Sequence, residues 1–281
     1  MIKKFFAFIL FGNIFISLCA IALCIETSLL LQLPFNNISF YFFVAGATIV
    51  QYNLHYLVKT TAVKGSARLG WSLKNKNFHI ALFIIGCIFI IISLFSFRLQ
   101  HFYILLILGA IAFLYSFPAL PFGKKKRIKD YGLLKIITLA LFWTLVTVWF
   151  PVSELPVNKT LYLFIFAKRF VFMFVLCLLF DVRDIDVDSS EHINTLPVIL
   201  GKKKSYNIAR AMLLVFLILS YVQYVLFPEL GFFLAMILSA LATSIVLELS
   251  RKIKSDFFYL AGIDGMMLLQ AILVYLLALK L

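Results

Sequence analysis

The sequence predicts an all-α, polytopic membrane protein, a bundle of nine transmembrane helices that forms one domain over residues 1–281. Of its residues, 64% are hydrophobic and only 14% are charged, unlike the composition of soluble globular domains. Nine segments approach the length of about 20 apolar residues that a helix needs to cross a bilayer. No alternating pattern of the length of a barrel strand is visible, so the expected spans are helices.

Each predicted helix is a predominantly apolar run. The first follows Lys3 and Lys4, as the core of a signal peptide would, but it is unusually long and lacks a clean A-x-A cleavage site, so a retained helix is expected. The fourth is the shortest. In chain order the segments are residues 5–31, 39–58, 78–97, 102–117, 133–150, 161–180, 206–227, 231–249 and 257–279.

Basic residues collect on alternate connections between these helices. With the N-terminus in the cytoplasm, the inner connections are rich in Lys and Arg, whereas the outer ones carry only Arg98 and Lys159. The inner connections are residues 59–77, 118–131, 181–205 and 250–256. This asymmetry predicts an integral protein of the cytoplasmic membrane, with its N-terminus inside and its C-terminus outside. It accounts for most of the net charge of +14 without a nucleic-acid partner.

An acidic cluster, DVRDIDVDSSE at residues 181–191, holds five of the twelve acidic residues. Asp181, Asp184 and Asp188 are spaced i, i+3, i+7, so on a continuous helix they lie within about 60° of one another. Asp186 points elsewhere. Crowded carboxylates repel, and a hard cation such as Mg²⁺ relieves the repulsion. Asp181, Asp184 and Asp188 are therefore the predicted Mg²⁺ ligands, with a solvated acidic helix end as the alternative.

The longer stretch DVRDIDVDSSEHINTLPVILG resembles the second aspartate-rich motif of the UbiA superfamily, the intramembrane prenyltransferases. The motif, D-x-x-D-x-[DE]-x-D with a later threonine and glycine, falls on Asp181, Asp184, Asp186, Asp188, Thr195 and Gly201. One family glycine is His192 here. Upstream, LYSFP at residues 114–118, which includes Tyr115, resembles the family's LYSxP. The resemblance implies nine helices around a central cavity, Mg²⁺ as cofactor, and a prenyl diphosphate and a hydrophobic acceptor as substrates.

The first aspartate-rich motif of the family, N-D-x-x-D-x-x-x-D at the cytoplasmic end of the second helix, is missing. The nearest match begins at Asn53 and has Leu54, Leu57 and Thr61 in place of the aspartates. No Asp or Glu occurs between residues 27 and 129, so a shifted alignment does not supply them. In the family both motifs hold Mg²⁺ against the diphosphate, and this chain cannot build that arrangement.

The second predicted helix offers neutral polar groups and cations at its end. Gln51, His55 and Lys59 share one helical face, and Lys64 and Arg68 follow. Because Lys and Arg bind phosphate oxygens through charge-assisted hydrogen bonds, Lys59, Lys64 and Arg68 are the predicted diphosphate ligands. The alternative is the ordinary polarity of a helix end with topological lysines.

Three charged residues stand out within the predicted spans: Lys168, Arg169 and Asp264. A charge at the bilayer centre costs about 2.5–3.5 kcal/mol on insertion scales, so these side chains are expected to face the bundle interior. They either pair there or line the cavity that receives a polar acceptor. The complete set of predicted polar cavity residues is Gln51, Asn53, His55, Tyr115, Lys168, Arg169 and Asp264.

Two functions follow from these patterns. The first is an enzyme that transfers a prenyl group from its diphosphate to an acceptor in the membrane. The second is a non-catalytic protein of the same fold that binds an isoprenoid, a lipid or a partner, and the missing first motif favours it. A transporter would predict broken helices or paired repeats, and would leave the acidic cluster unexplained.

The predicted topology is tested by cysteine accessibility. Single cysteines placed within residues 124–129 or 202–204 should react only with reagent on the cytoplasmic side, and cysteines within 152–158 only with reagent outside, because basic loops stay in the cytoplasm. Labelling of residues 152–158 from the cytoplasm would contradict the topology.

Overall fold

The computed structural model describes residues 2–58, 67–116, 131–153 and 155–278, and the regular structure in these ranges is entirely helical. The helices are α1 (Ile2–Phe11), α2 (Ile14–Leu30), α3 (Ile38–Val58), α4 (Ala67–Lys74), α5 (Lys76–Leu94), α6 (Leu99–Ser116), α7 (Gly132–Val152), α8 (Lys159–Arg183), α9 (Ile185–Ser190), α10 (Leu196–Leu226), α11 (Leu230–Ser250) and α12 (Phe258–Ala278).

Seven helices are long and apolar enough to cross a membrane, namely α5, α6, α7, α8, α10, α11 and α12. They fit an integral, multi-pass membrane protein. A bent pair made of α1 and α2 would be an eighth, and the apolar part of α3, Ile38–Leu54, is shorter. Within the described ranges every predicted segment coincides with helix, but the predicted count of nine spans is not confirmed.

The first predicted span is broken at Asn13, where α1 and α2 meet at an angle of 60°. Asn13 has a φ of 66°, in the left-handed region that asparagine tolerates better than most residues. Its side chain joins the bend to the rest of the bundle, since it donates to Asn53 Oδ1 at 3.3 Å and accepts from the guanidinium of Arg68. A polar residue inside an apolar run therefore ends one helix and begins another.

The helices close a ring in the order α2, α12, α11, α10, α8 and α7, with α7 returning to α2. The pair of α3 and α5 packs outside this ring, on α2. Of the seven spans α8 is the most enclosed: 56% of its apolar window is buried, against 39% or less for the others. The acidic cluster lies at the end of this helix. We call that end of the bundle the Asp end.

Two π-helical segments interrupt the ring, Leu145–Trp149 in α7 and Phe258–Ile263 in α12. A π segment disturbs the regular pairing of backbone carbonyls, which then need other donors. The first segment faces α2, and α2 also packs on the part of α12 that follows the second segment. The hydroxyl of Thr27 donates to the carbonyl of Thr147 at 2.6 Å, and the thiol of Cys19 lies 3.6 Å from the carbonyl of Asp264. Small polar side chains of α2 thus hold both neighbours close.

Helices α3 and α5 approach one another at a pair of glycines. A Cβ atom at Gly46 would lie 2.6 Å from the carbonyl oxygen of Gly86, and one at Gly86 would lie 2.9 Å from that of Gly46. Because both obstacles are backbone atoms, neither helix can accept a side chain here without moving.

The Gly46→Ala substitution should therefore lower the free energy of unfolding in detergent by about 1–3 kcal/mol, the usual cost of overpacking. The matched control is Gly109→Ala in α6, where a new Cβ meets nothing within 4 Å. It should leave stability unchanged or raise it by about 1 kcal/mol, since alanine favours helix. Equal effects at the two positions would contradict the close approach of α3 and α5.

Candidate functional site

The acidic cluster lies where α8 ends and α9 begins. Asp184 connects the two helices with φ −87° and ψ 7°, yet its N–H still bonds the carbonyl of Phe180 at 3.0 Å. The turn is therefore a bend in a continuous hydrogen-bonded path, and helical phase survives it. Asp181 and Asp188 are both buried at 4% exposure on the same side, whereas Asp186 is exposed.

One ammonium group lies between the two buried carboxylates. Lys135, in the first turn of α7, has its Nζ 3.0 Å from Asp181 Oδ1, and 3.0 and 3.1 Å from the two oxygens of Asp188. Burial raises the pKa of Asp188 above its ordinary value, and the facing ammonium opposes the rise. The second oxygen of Asp181, Oδ2, is buried and has no hydrogen-bond partner among the described residues.

The position of Lys135 is set by a backbone contact at the start of α7. A Cβ atom at Gly132 would fall 1.5 Å from the carbonyl oxygen of Asn194, so the helix touches the segment that follows the acidic cluster. His192, in the same segment, has a φ of 56° at the place where the family resemblance expects glycine. The chain folds back sharply here and brings the first turn of α7 against Asp188.

Asp184 belongs to a second group of charges. Its carboxylate accepts from Arg183 Nε at 2.7 Å and from the Nη2 of the same side chain at 3.1 Å. Arg183 also lies 3.7 Å from Asp256, which accepts from the backbone N–H of Arg68 at 2.9 Å. The guanidinium of Arg183 stacks 5.0 Å from the ring of Tyr259. Asp184 therefore does not join Asp181 and Asp188 on one cation, because its own neighbour holds it.

At the end of α3, Asn53 is a buried junction. Its Oδ1 accepts from Asn13 and contacts the Nδ1 of His79, and its Nδ2 donates to the carbonyls of Gly12 and Ile49 at 3.3 and 2.8 Å. The amide is fully occupied by other helices. Where the family has the start of a metal-binding motif, this chain has a contact that joins α2, α3 and α5.

The remaining predicted residues are dispersed. Arg68 lies near Asp256, as described, and its guanidinium lies 5.1 Å from the ring of Tyr56. Gln51 is exposed and donates to Ser116 at 3.2 Å. Tyr115 is half-buried, and Asp264 is buried. Lys59, Lys64 and the side chain of His55 lie outside what the structure describes.

The intramembrane cations Lys168 and Arg169 are both buried at 3% exposure. Arg169 pairs with Glu26 of α2 at 3.0 Å, and each side chain is 2% exposed. Glu26 was not among the predicted site residues, although an acid near the end of an apolar run was a usable signal. Lys135 was detectable in a similar way, because it is a charged residue inside the predicted apolar segment 133–150. Asp256 and His79 also emerge only from the structure.

In the described ranges no three His, Cys, Asp or Glu side chains come close enough together to hold a metal ion. Two cavities of about 190 and 290 Å³ lie at the end opposite the Asp end, the first beside Asn36 and His101, the second beside Gln32 and Glu229. A central cavity that opens at the Asp end stays a prediction.

Comparisons with known proteins agree with the described fold. The model of the family described as "UbiA prenyltransferase family" matches residues 72–257. A UbiA homologue from Archaeoglobus fulgidus superimposes with a TM-score of 0.65 at 14% identity, over 97% of this chain and 99% of that one. The same homologue bound to GPP and Mg²⁺ gives 0.66 at 12%, with the same coverage. A digeranylgeranylglyceryl phosphate synthase gives 0.59 at 16% over the whole of both chains. No curated protein sequence matches significantly.

The buried ion pair of Arg169 and Glu26 is expected to contribute far more to stability than an exposed ion pair does. Glu26→Ala leaves Arg169 buried without its partner and should cost about 3–5 kcal/mol of unfolding free energy. Glu248→Ala, which removes the partner of Arg210 where both side chains are more than 40% exposed, should cost about 0–1 kcal/mol. Unfolding of each variant in mixed micelles measures both. Similar losses would show that Glu26 and Arg169 are not a buried pair.

Proposed function

We propose, since this chain belongs to the UbiA prenyltransferase family, that it transfers a prenyl group from an isoprenoid diphosphate to a hydrophobic acceptor inside the membrane. The observation that carries the proposal is the convergence of two buried carboxylates, Asp181 and Asp188, on one cation at the end of the most enclosed helix. The structures of the A. fulgidus homologue with GPP or DMAPP and Mg²⁺ support a diphosphate as the ligand class.

The covalent changes of the reaction take place in the substrate and the acceptor, and few of them involve the protein. The allylic C–O bond breaks, both electrons leave with the diphosphate, and the allylic carbon forms a bond to the acceptor, which loses a proton. The barrier falls when fixed positive groups stabilise the charge that develops on the leaving group. We propose that Lys59, Lys64 and Arg68 bind the diphosphate, and that Arg183 and Lys135 set the electrostatic potential beside it.

The charges at the Asp end support a role for the segment that contains Lys59 and Lys64. Among the described side chains, those that contact one another there are three cations, Arg68, Lys135 and Arg183, and four carboxylates, Asp181, Asp184, Asp188 and Asp256. A bound diphosphate would add negative charge and would need further cations. We propose that Lys59 and Lys64, which follow α3 in the sequence, supply them.

A Mg²⁺ ion bound jointly by Asp181, Asp184 and Asp188 does not fit the arrangement of these side chains. Lys135 already contacts two of the carboxylates and Arg183 contacts the third. A divalent ion would need to displace both cations. No step of the proposed reaction is therefore assigned to Mg²⁺ at this position.

The polar residues within the bundle are the proposed surroundings of the acceptor. Lys168 and Asp264 are buried, and Arg169 has Glu26 as its counter-ion. A buried charge in a membrane helix usually faces an interior cavity or a partner. We propose that Gln51, His55 and Tyr115 lie along the same path between the Asp end and the interior.

A non-catalytic protein of the same fold is the second candidate. The observation that favours it is Asn53, whose amide is fully engaged in holding α2, α3 and α5 together. Such a protein would bind an isoprenoid or a lipid without releasing diphosphate.

The decisive experiment is to titrate geranyl diphosphate into the purified protein in nanodiscs and to measure diphosphate release with a membrane extract as acceptor. Arg68→Ala should weaken binding about tenfold or more, since a lost charge-assisted contact costs about 1.5–3 kcal/mol. Lys59→Ala should do the same. Lys74→Ala is the matched control, because Lys74 is exposed at the other end of α4.

Unfolding of each variant must be measured alongside, because Arg68 also contacts Asn13. Binding without release of diphosphate would favour the non-catalytic candidate, and mass spectrometry of co-purified lipid would then identify the ligand. Equal affinities for wild type, Arg68→Ala and Lys59→Ala would contradict the proposed diphosphate site.

A further inference from the structure

We propose that Lys135 is a tethered cation that takes the place of a divalent metal ion between Asp181 and Asp188. The positive charge that neutralises the acidic cluster then comes from the chain itself. The consequence for diphosphate binding rests on the proposed function, whereas the ion pair itself does not.

The geometry of the contact carries the inference. The ammonium of Lys135 lies 3.0–3.1 Å from three oxygens of two carboxylates, each of which is more than nine-tenths buried. Mg²⁺ requires oxygen ligands at about 2.0–2.1 Å in a nearly ideal octahedron. A metal ion cannot share this small space with an ammonium group, so occupancy by one excludes the other.

The ammonium is held in place by the fold. At Gly132 the first turn of α7 contacts the carbonyl of Asn194, and Lys135 lies three residues further along the helix. The segment around Asn194 directly follows the acidic cluster. Lys135 and Asp188 therefore approach each other through a backbone contact, and not through the flexibility of a long side chain.

The other predicted ligand has an internal cation as well. Asp184 is bound by Arg183 through two nitrogens, and the guanidinium is stacked on the ring of Tyr259. Planar, two-point pairs of this kind are geometrically specific. Since no carboxylate stands between residues 27 and 129, a metal ion would find no ligand of this type from the end of α3. Internal cations and the missing first motif are thus consistent with each other.

One buried oxygen atom of the cluster lacks a hydrogen-bond donor. Asp181 Oδ2 is buried and has no hydrogen-bond partner among the described residues. A buried carboxylate oxygen without a partner is costly, and a bound molecule with a donor removes that cost. What Asp181 Oδ2 lacks is therefore a hydrogen-bond donor beside the fixed ammonium, and not a second positive ion.

The test uses Mn²⁺ alone as the probe, because the six-line electron paramagnetic resonance signal of free Mn²⁺ disappears on binding. Wild-type protein in nanodiscs of neutral lipid should show no saturable binding at about 1 mM, a concentration well above that which fills well-formed oxygen-ligand sites. Lys135→Met, which keeps the length of the side chain and removes its charge, should bind at least about tenfold more tightly. Adding Asp188→Asn should abolish the gain.

Two controls isolate the charge. Lys135→Arg keeps a cation and should behave like wild type. Lys202→Met removes an exposed lysine from the same end of the bundle and should also behave like wild type. If Lys135→Met does not fold, the wild-type titration still decides: uptake of one Mn²⁺ per chain that Asp188→Asn eliminates would overturn the proposal.

The outcome separates this proposal from the proposed function. If Lys135→Met gains Mn²⁺ affinity and geranyl diphosphate does not bind any variant, the tethered cation stands and the prenyl transfer proposal fails. If wild type binds geranyl diphosphate in the presence of EDTA with an affinity within about twofold of that in Mg²⁺, and also releases diphosphate, both stand. Loss of binding in EDTA together with saturable Mn²⁺ uptake by wild type would overturn the tethered cation alone.

Discussion

Lys135 connects three elements at the Asp end, because its ammonium in α7 contacts Asp181 at the end of α8 and Asp188 in α9. Two carboxylates buried side by side repel each other strongly, and water cannot solvate their charges at this position. A single cation between them reduces the repulsion between the two carboxylates. The bend at Asp184, the turn at His192 and the contact at Gly132 all serve to bring the three side chains to one point.

The same constraint operates elsewhere in the bundle. Arg169 of α8 has Glu26 of α2 as its partner, although the two residues are far apart in the sequence. In water such a pair contributes little, whereas in an apolar interior the loss of one partner leaves a charge that nothing else compensates. Helix α8 therefore carries paired charges both at its end and near its middle. These contacts require one face of α8 to be turned towards Glu26 of α2 and another towards Lys135 of α7.

Hydropathy predicted most of the helices because membrane thickness fixes their length, and helical phase predicted that Asp181 and Asp188 share a side. For Asp184, helical phase gave no sign that the adjacent Arg183 binds its carboxylate. The break at Asn13 was not predictable from an apolar average, since one left-handed residue causes it. Lys135 was visible as a lysine in an apolar run, but its partners depend on how α7 meets a segment 53 residues away, and periodicity carries no information about that contact.

The missing first motif and the internal cations at the acidic cluster have a common explanation in the balance of charge. A site with carboxylates on both sides carries more negative charge, and bound divalent ions supply a large local positive charge that offsets it. A site that has lost one side retains fewer charges, and monovalent side chains are then sufficient to balance them. Asn53 has meanwhile become part of the packing between helices. The remaining positive charge for an anionic ligand must come from residues that are not already committed to Asp181, Asp184, Asp188 or Asp256. We therefore propose that substitutions in the basic segment after α3 distinguish an enzyme from a binding protein better than substitutions in the acidic cluster do.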